Sequence, residues 1–370
     1  MFVLLANGNF LKPQSFTDTE NLPVKFYGRI RWERHVKKPT RRWKLFRRIP
    51  DVLKALVSLV DTLEELEICL KYRCAIVAAA KLEAERDLLS FKEADRIGPS
   101  DGFIFTHNGV NYILASYMGL DFYLGLGIDH VCSSGIDVLG LASKMIAAGE
   151  AEVALAATVN SMASVPRTAY HRNLGVLSQK GIIAPFDADR DGTVFSDGMA
   201  VAILCSEKVA QRENLKPIAA ITGYGRVCDA LHMFSLREDG EAFVRAVELS
   251  LPPEANPKIV KAHATGTRLN DRAEAAAYKR LFGKEATITA LKPVAGHSVV
   301  SSGLTETLML LKNIKEKGTI PPIKNLKRID PECEGIAPAL KESPFKGGGI
   351  VSVSAGFGGF FSSIHMEVLE

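Results

Sequence analysis

A single cysteine followed by small residues is the first candidate for chemistry in this 370-residue chain. Residues 129–137 read D-H-V-C-S-S-G-I-D, and Cys132 stands directly before a predicted helix at 134–148. The free N–H groups at a helix N-terminus lower the pKa of a nearby thiol and favour the thiolate. The residues alone leave two interpretations open, a nucleophile or an inert buried cysteine.

Two histidines follow predicted strands later in the chain. His263 lies in K-A-H-A-T-G-T-R-L-N-D-R-A-E, residues 261–274, and His297 lies in L-K-P-V-A-G-H-S-V-V-S-S-G, residues 291–303. A glycine-rich turn, S-A-G-F-G-G at 354–359, allows backbone N–H groups to approach a ligand closely. A thiolate attacks thioesters, and two imidazoles hydrogen-bond a developing enolate oxygen. The set predicts acyl transfer joined to carbanion chemistry; the alternative for each histidine is a structural hydrogen bond.

Strands and helices alternate along the chain, which is typical of an α/β fold with buried sheets. The pattern predicts strands at 2–5, 102–106, 152–159, 199–205, 219–223, 258–262, 286–290, 349–354 and 361–367. It predicts helices at 51–63, 69–91, 134–148, 241–251, 271–282 and 300–317. Because the order of elements repeats, we divide the chain into two similar halves. Residues 1–205 carry Cys132 and a basic segment at 25–48, and residues 206–370 carry both histidines.

The composition is that of an ordinary globular protein, with 47% hydrophobic and 24% charged residues. The apolar runs are too short to cross a bilayer, and the first six residues predict a strand rather than a signal peptide. The six cysteines form no C-x-x-C pair and no zinc-type spacing with histidine. We therefore expect no metal and a reducing, cytoplasmic location.

Basic residues are concentrated between Lys25 and Arg48, where eleven lysines and arginines accompany one acid, Glu33. A solvated surface, a nucleic-acid site and a docking site for an acidic protein are the three interpretations. No nucleic-acid motif accompanies the segment, so we expect no nucleic-acid partner.

Five motifs in order resemble those of β-ketoacyl-[acyl carrier protein] synthases, the Cys-His-His condensing enzymes of the thiolase superfamily. The resemblance covers about residue 101 to the C-terminus. The matching segments are V-C-S-S-G at 131–135, P-F-D-A-D-R-D-G at 185–192, H-A-T-G-T-R-L-N-D-R-A-E at 263–274, K-P-V-A-G-H at 292–297 and G-F-G-G at 356–359.

The resemblance implies a thiolase-like fold with α-β-α-β-α layers and an assembly that is a homodimer or a heterodimer. It implies decarboxylative Claisen condensation of an acyl thioester with malonyl-acyl carrier protein. The substrates would ride on the phosphopantetheine of the carrier protein, with no bound cofactor. The basic residues that would meet this acidic carrier are Arg41, Arg42, Lys44, Arg47 and Arg48.

The resemblance also implies a role for each matching residue. Cys132 would take the acyl chain, and His263 and His297 would stabilise the enolate. Lys292 would support the second histidine, with Glu274 as its charge partner. The N–H groups of Cys132 and Phe357 would form the oxyanion hole, with the Phe357 ring as a gate. The pantetheine arm would contact two hydroxyl side chains, Thr265 and Thr267.

This sequence departs from the family pattern at several positions. Ala264 replaces a glycine, Lys261 stands where an acid is common, and the family's G-A-A-G after the second histidine is V-S-S-G at 300–303. Phe360 and Phe361 replace Thr-Asn, and the stretch between Phe103 and Cys132 is shorter than usual. A shallower acyl pocket, or one completed by a partner chain, follows from the shortening. The alternative function is a non-catalytic chain-length-type partner of an active synthase.

Overall fold

The computed structural model describes residues 3–17, 19, 22–37, 49–82, 107–121, 123–161 and 165–369. The arginines and lysine proposed at 41–48 and the strand predicted at 102–106 lie outside these residues. The described strands are β1 Val3–Leu11, β2 Cys74–Leu82, β3 Leu124–Ile128, β4 Val153–Ser161, β5 Gly198–Ser206, β6 Ala219–Cys228, β7 Ile259–Lys261, β8 Thr287–Thr289, β9 Thr319–Ile320, β10 Ala337–Pro338, β11 Ser343–Pro344, β12 Gly349–Gly356 and β13 Phe360–Val368.

The described α-helices agree with most of the predicted ones and add several short ones. They are α1 Asp51–Val60, α2 Ile68–Lys71, α3 His107–Met118, α4 Ser134–Ala147, α5 Val165–Asn173, α6 Glu207–Arg212, α7 Glu241–Ser250, α8 Arg268–Leu281, α9 Lys292–Ala295 and α10 Ser302–Lys317. Short 3-10 turns lie at Trp32–Arg34, Val131–Ser133, Val299–Ser301 and Pro331–Cys333.

Strand pairing follows the same pattern in both parts of the chain. Among the described residues, eleven strands are hydrogen-bonded in the order β10-β8-β7-β12-β13-β6-β1-β5-β4-β2-β3. On one side β1 pairs antiparallel with β5, β5 antiparallel with β4, and β4 and β3 parallel with β2. The other side repeats these directions. There β6 pairs antiparallel with β13, β13 antiparallel with β12, and β12 and β8 parallel with β7. Antiparallel β1 and β6 join the two sets. This repeat is consistent with two similar halves, and the boundary at residue 205 stays a prediction.

Helices cover the strands in alternating layers. One buried cluster packs α1 and α3 against β2 and β4. A second places α4 and α10 between the two sets of strands, and a third packs α7 and α8 against β7, β8 and β12. The layer order is therefore α-β-α-β-α, as the sequence motifs predict, with the first turns of both central helices buried.

The helix predicted at 69–91 is wrong over its described part. Only the short helix α2 forms there, and residues 74–82 are strand β2, which lies between β3 and β4. A parallel strand buried on both faces has a continuous apolar sequence, and C-A-I-V-A-A-A-K-L lacks the alternation that marks a half-exposed strand. Residues 83–91 lie outside the described part of the chain.

The central helices α4 and α10 meet at their first turns. Each follows a 3-10 turn that opens with a valine of positive φ, 51° at Val131 and 40° at Val299. The two segments read V-C-S-S-G and V-V-S-S-G. A Cβ atom on Gly135 would lie 2.5 Å from the Leu304 N atom and 2.7 Å from the Gly303 N atom. Only glycine permits this approach, which brings the two turns together.

No helix in the described residues is long and apolar enough to cross a membrane.

We predict that Gly135→Ala lowers the free energy of unfolding by about 1–3 kcal/mol, because the new methyl group meets backbone atoms that cannot move away. Helix propensity alone favours alanine by about 1 kcal/mol, so the packing effect has the opposite sign. Chemical denaturation measures the change. Ala147→Gly, at an exposed position of the same helix, is the control for propensity. A Gly135→Ala protein as stable as the wild type would contradict the close helix contact.

Candidate active site

A cavity of about 370 Å³ lies where the two central turns meet. Its lining includes Cys132 from one half and His263 and His297 from the other. Thr265, Thr267 and Phe357, also predicted from sequence, line it as well. The structure therefore brings six of the eight predicted site residues to one cavity. The other two, Lys292 and Glu274, are fully buried beside it.

The Cys132 side chain stands at the start of α4 as predicted, but the expected low thiol pKa is wrong. Only 6% of the residue is exposed, and this burial raises the pKa of the thiol to about 12. The positive charge of Lys292 opposes the effect without reversing it. Sequence shows the helix N-terminus but not the burial. The thiol therefore needs a proton acceptor when it reacts.

The end of β12 packs against the cysteine turn. A Cβ atom on Gly356 would lie 2.7 Å from the His130 carbonyl oxygen and 3.1 Å from the Cys132 N atom. Phe357 follows directly, and its ring makes an edge contact with Phe234 at 5.6 Å between centroids. The backbone segments proposed for an oxyanion hole are thus adjacent, and the Phe357 ring stands at the cavity.

His263 is placed by its own backbone. Its N–H donates to Glu274 Oε1 at 2.5 Å, and the N–H of Ala264 donates to Glu274 Oε2 at 2.7 Å. The Tyr278 hydroxyl and the Asn270 amide also donate to this carboxylate, at 2.5 and 3.1 Å. Ala264 has a φ of 49°, a left-handed conformation that glycine adopts more readily. Glu274 therefore fixes the turn after β7 in a conformation that the alanine disfavours.

Glu274 is not the ion-pair partner of Lys292, which corrects the sequence prediction. Lys292 Nζ lies 2.8 Å from Glu306 Oε1, and the same Nζ donates to the His263 carbonyl oxygen at 2.5 Å. Glu306 comes from α10, which passes beneath the site. The sequence motifs do not include this residue, although it is the only charged residue between His297 and Leu311. A lone carboxylate in an apolar helix was the signal that could have identified it.

A second buried lysine shares the Glu306 carboxylate. Lys261, at the position where the family commonly has an acid, lies 3.4 Å from Glu306 Oε2 and donates to the Val353 carbonyl oxygen at 2.9 Å. Burial lowers the pKa of Lys261 to about 8. Glu306, through Lys261, therefore ties the end of β7 and the middle of β12 to α10, next to the cavity.

Both cavity histidines are neutral at neutral pH. Burial, followed by the charge of Lys292, lowers the pKa of each well below 6.5. Lys292 Nζ faces His263 Nδ1 at 3.4 Å. Since an ammonium group only donates, Nδ1 is the acceptor and the ring hydrogen lies on Nε2.

The second histidine is held between the two halves. The N–H of His297 donates to the Val194 carbonyl oxygen at 2.9 Å, and its own carbonyl accepts from Ser196 at 3.1 Å. Its Nδ1 lies 3.0 Å from Ser302 Oγ, and its ring stacks on Phe195 at 5.1 Å. The His263 and His297 rings lie 5.6 Å apart, which lets two N–H groups converge on one small oxyanion.

The P-F-D-A-D-R-D-G segment, residues 185–192, supports the cavity wall. Asp187 accepts three backbone N–H groups, from Asp189, Lys327 and Arg328, at 2.7 to 2.9 Å. The Arg190 guanidinium is buried between Asp271 and Asp330. These groups order a loop and do not line the cavity.

The fold and the sequence identify the class of protein. Residues 73–210 match the family model described as "Beta-ketoacyl synthase, N-terminal domain", and residues 218–327 match "Beta-ketoacyl synthase, C-terminal domain". The chain therefore belongs to the β-ketoacyl synthase family. The match begins at residue 73, so the family resemblance extends further towards the N-terminus than the motifs alone indicate.

Three curated relatives illustrate the similarity. The actinorhodin polyketide putative beta-ketoacyl synthase 1 of Streptomyces coelicolor is 29% identical over 329 residues, which cover 84% of this chain and 70% of that protein. The oxytetracycline polyketide putative beta-ketoacyl synthase 1 of Streptomyces rimosus is 34% identical, over 63% of this chain and 57% of that protein. The 3-oxoacyl-[acyl-carrier-protein] synthase 2 of Mycobacterium leprae is 32% identical, over 66% and 61%. The matches thus span between 57% and 70% of the length of these relatives.

Solved structures confirm the thiolase-like fold. A beta-ketoacyl synthase from Burkholderia phymatum superposes with a TM-score of 0.84 over the whole of both chains, at 20% identity. A chain from a solved complex, described as a type II polyketide synthase acyl carrier protein with its ketosynthase, superposes with a TM-score of 0.82 at 22% identity.

We predict that alkylation of Cys132 by iodoacetamide accelerates about tenfold per pH unit from pH 7 to 10 without reaching a plateau. The thiolate is the reactive form, and a thiol with a pKa near 12 is almost wholly protonated throughout this range. Peptide mapping by mass spectrometry separates Cys132 from the exposed Cys228, which serves as an internal reference. A plateau near pH 7 would show a stabilised thiolate instead.

Proposed function

We propose that the protein catalyses decarboxylative condensation of an acyl thioester with malonyl-acyl carrier protein, giving 3-oxoacyl-acyl carrier protein. One observation carries the proposal: a cysteine thiol and two neutral imidazoles line one cavity, and a buried lysine lies behind it. The family and its relatives named as 3-oxoacyl-[acyl-carrier-protein] synthases support the same reaction class.

In the first step, Cys132 Sγ bonds to the acyl carbonyl carbon, and the bond to the pantetheine sulfur breaks. The cysteine proton passes to the departing pantetheine sulfur, which leaves as a thiol, so charge balances. The N–H groups of Cys132 and Phe357 bind the oxyanion that forms during transfer. Burial of the thiol limits wasteful hydrolysis of the resulting thioester.

In the second step, the C–C bond to the malonyl carboxylate breaks and CO₂ leaves. The electron pair of that bond stays on the thioester as an enolate. His263 Nε2–H and the facing His297 N–H hydrogen-bond the enolate oxygen. Lys292, by fixing Nδ1 of His263 as the acceptor, keeps the hydrogen on Nε2. The enolate carbon then attacks the acyl-Cys132 carbonyl carbon, and the C–S bond breaks. Cys132 Sγ takes up a proton from solvent, and a chain two carbons longer leaves on the carrier protein.

Thr265 and Thr267 form the approach to the cavity in this proposal. Their hydroxyl groups lie 2.9 Å apart and can donate to amide groups of the pantetheine arm. The carrier protein is the proposed partner, with the segment at 41–48 as its docking region. A homodimer also remains a proposal. Since Cys132 and both histidines share the cavity, no observation favours a non-catalytic partner subunit over a working synthase.

The test separates the two half-reactions by mass spectrometry of the carrier protein and the enzyme. We expect His263→Ala and His297→Ala to slow malonyl-acyl carrier protein decarboxylation at least 100-fold, because the enolate loses a hydrogen-bond donor. Acyl transfer to Cys132 should continue in at least one of the two variants. His365→Asn changes a buried histidine outside the cavity and should leave both rates within twofold. Decarboxylation at wild-type rate in both alanine variants would refute the proposed roles.

A further inference from the structure

A second buried carboxylate with several hydrogen-bond partners, Asp137, lies on the other side of Cys132. Its side chain is fully buried and accepts from four side chains. Tyr224 OH and Ser362 Oγ donate to Oδ1, at 2.7 and 2.5 Å. Ser133 Oγ lies 3.0 Å and His130 Nδ1 2.8 Å from Oδ2. Neither the sequence motifs nor the proposed mechanism uses this group.

The four donors come from three segments of the chain. His130 and Ser133 bracket the turn that carries Cys132. Ser362 lies on β13, just after the glycine turn that carries Phe357, and Tyr224 lies on the neighbouring strand β6. The Asp137 carboxylate, on α4, therefore connects the turn that carries Cys132 with strands β6 and β13.

The imidazole of His130 strengthens this connection. Because the carboxylate accepts, Nδ1 carries the ring hydrogen, and Nε2 faces Arg226 Nη1 at 3.5 Å. The ring also stacks on Phe360, the first residue of β13, at 5.0 Å between centroids. The His130 ring thus contacts Asp137 with one edge and Phe360 of β13 with its face.

We propose that Asp137 is a positioning residue that holds the Cys132 turn against strand β13, which follows the turn that carries Phe357. A fully buried carboxylate is costly unless its lone pairs are satisfied, so the four donors cannot leave it without stranding a charge. That requirement fixes the positions of residues 130 and 133, and with them the direction of the Cys132 side chain between them. Val131, with its φ of 51°, is kept in its left-handed conformation by the same constraint. This inference deepens the proposed function and rests on it.

Asp137→Asn is the decisive variant. Asparagine has nearly the size of aspartate, but its NH₂ group cannot accept the hydrogen bonds that one carboxylate oxygen accepts. We expect the saturating rate of acyl transfer to Cys132 to fall at least tenfold. The concentration of acyl-acyl carrier protein that gives half-maximal acyl transfer should stay within twofold of the wild-type value. The rate of malonyl decarboxylation should also stay within twofold, since His263 and His297 do not contact this network.

Asp187→Asn is the matched control, because Asp187 is also buried and accepts several hydrogen bonds, but none from the Cys132 turn. It should leave acyl transfer within twofold. Unchanged acyl transfer in Asp137→Asn, or an equal fall of both half-reactions, would overturn the positioning role. If Asp137→Asn does not fold, Ser133→Ala decides, because it removes one donor of the turn. A fivefold loss of acyl transfer is expected, and no loss overturns the proposal.

The positioning role can be tested separately from the proposed function. A wild-type protein that accepts no acyl group refutes the condensation reaction. In that case the readout is alkylation of Cys132 by iodoacetamide. Asp137→Asn should slow the alkylation at least fivefold and Asp187→Asn should leave it within twofold. Equal alkylation in both variants would refute the positioning role on its own.

Discussion

The rest of the site depends on the close crossing of α4 and α10 at Gly135 and Gly303. With no side chain at either position, the backbones approach to a distance that a methyl group would block. The crossing brings the start of α4, with Cys132, next to the turn before α10, with His297. Neither half holds a complete set of reactive groups. The reaction centre therefore exists only because the two sets of strands are packed on a shared central layer of helices.

Two buried carboxylates then fix the turns that the crossing brings together. Glu306 binds Lys292 and Lys261, and through them the carbonyl groups of His263 and Val353. Asp137 binds the residues on either side of Cys132. Burying such groups is favourable only when each charge and each lone pair has a partner, which makes these networks geometrically strict. The same burial lowers the pKa of both histidines, so that each can serve in the proposed reaction as a neutral hydrogen-bond donor.

Local motifs were enough to find the reactive residues, because catalytic chemistry requires particular side chains at particular turns. Cys132, His263 and His297 were therefore predicted correctly to share a site, and their roles stay proposals. The partner of Lys292 was predicted wrongly, because Glu274 is close in sequence to His263 whereas Glu306 reaches the site through helix packing. The sequence of strand β2 predicts a helix wrongly, because burial on both faces removes the alternation that marks a strand. The pKa of Cys132 depends on burial, which a single sequence does not show.

The most direct test of the account is the intact mass of the protein after mixing with a panel of acyl-acyl carrier proteins. We expect an adduct with the mass of the acyl group on the wild-type protein and none on Cys132→Ala. Addition of malonyl-acyl carrier protein should discharge the adduct and yield a carrier-bound 3-oxoacyl chain. A folded wild-type protein that gains no acyl group from any chain length would contradict the account and would favour a non-catalytic partner subunit.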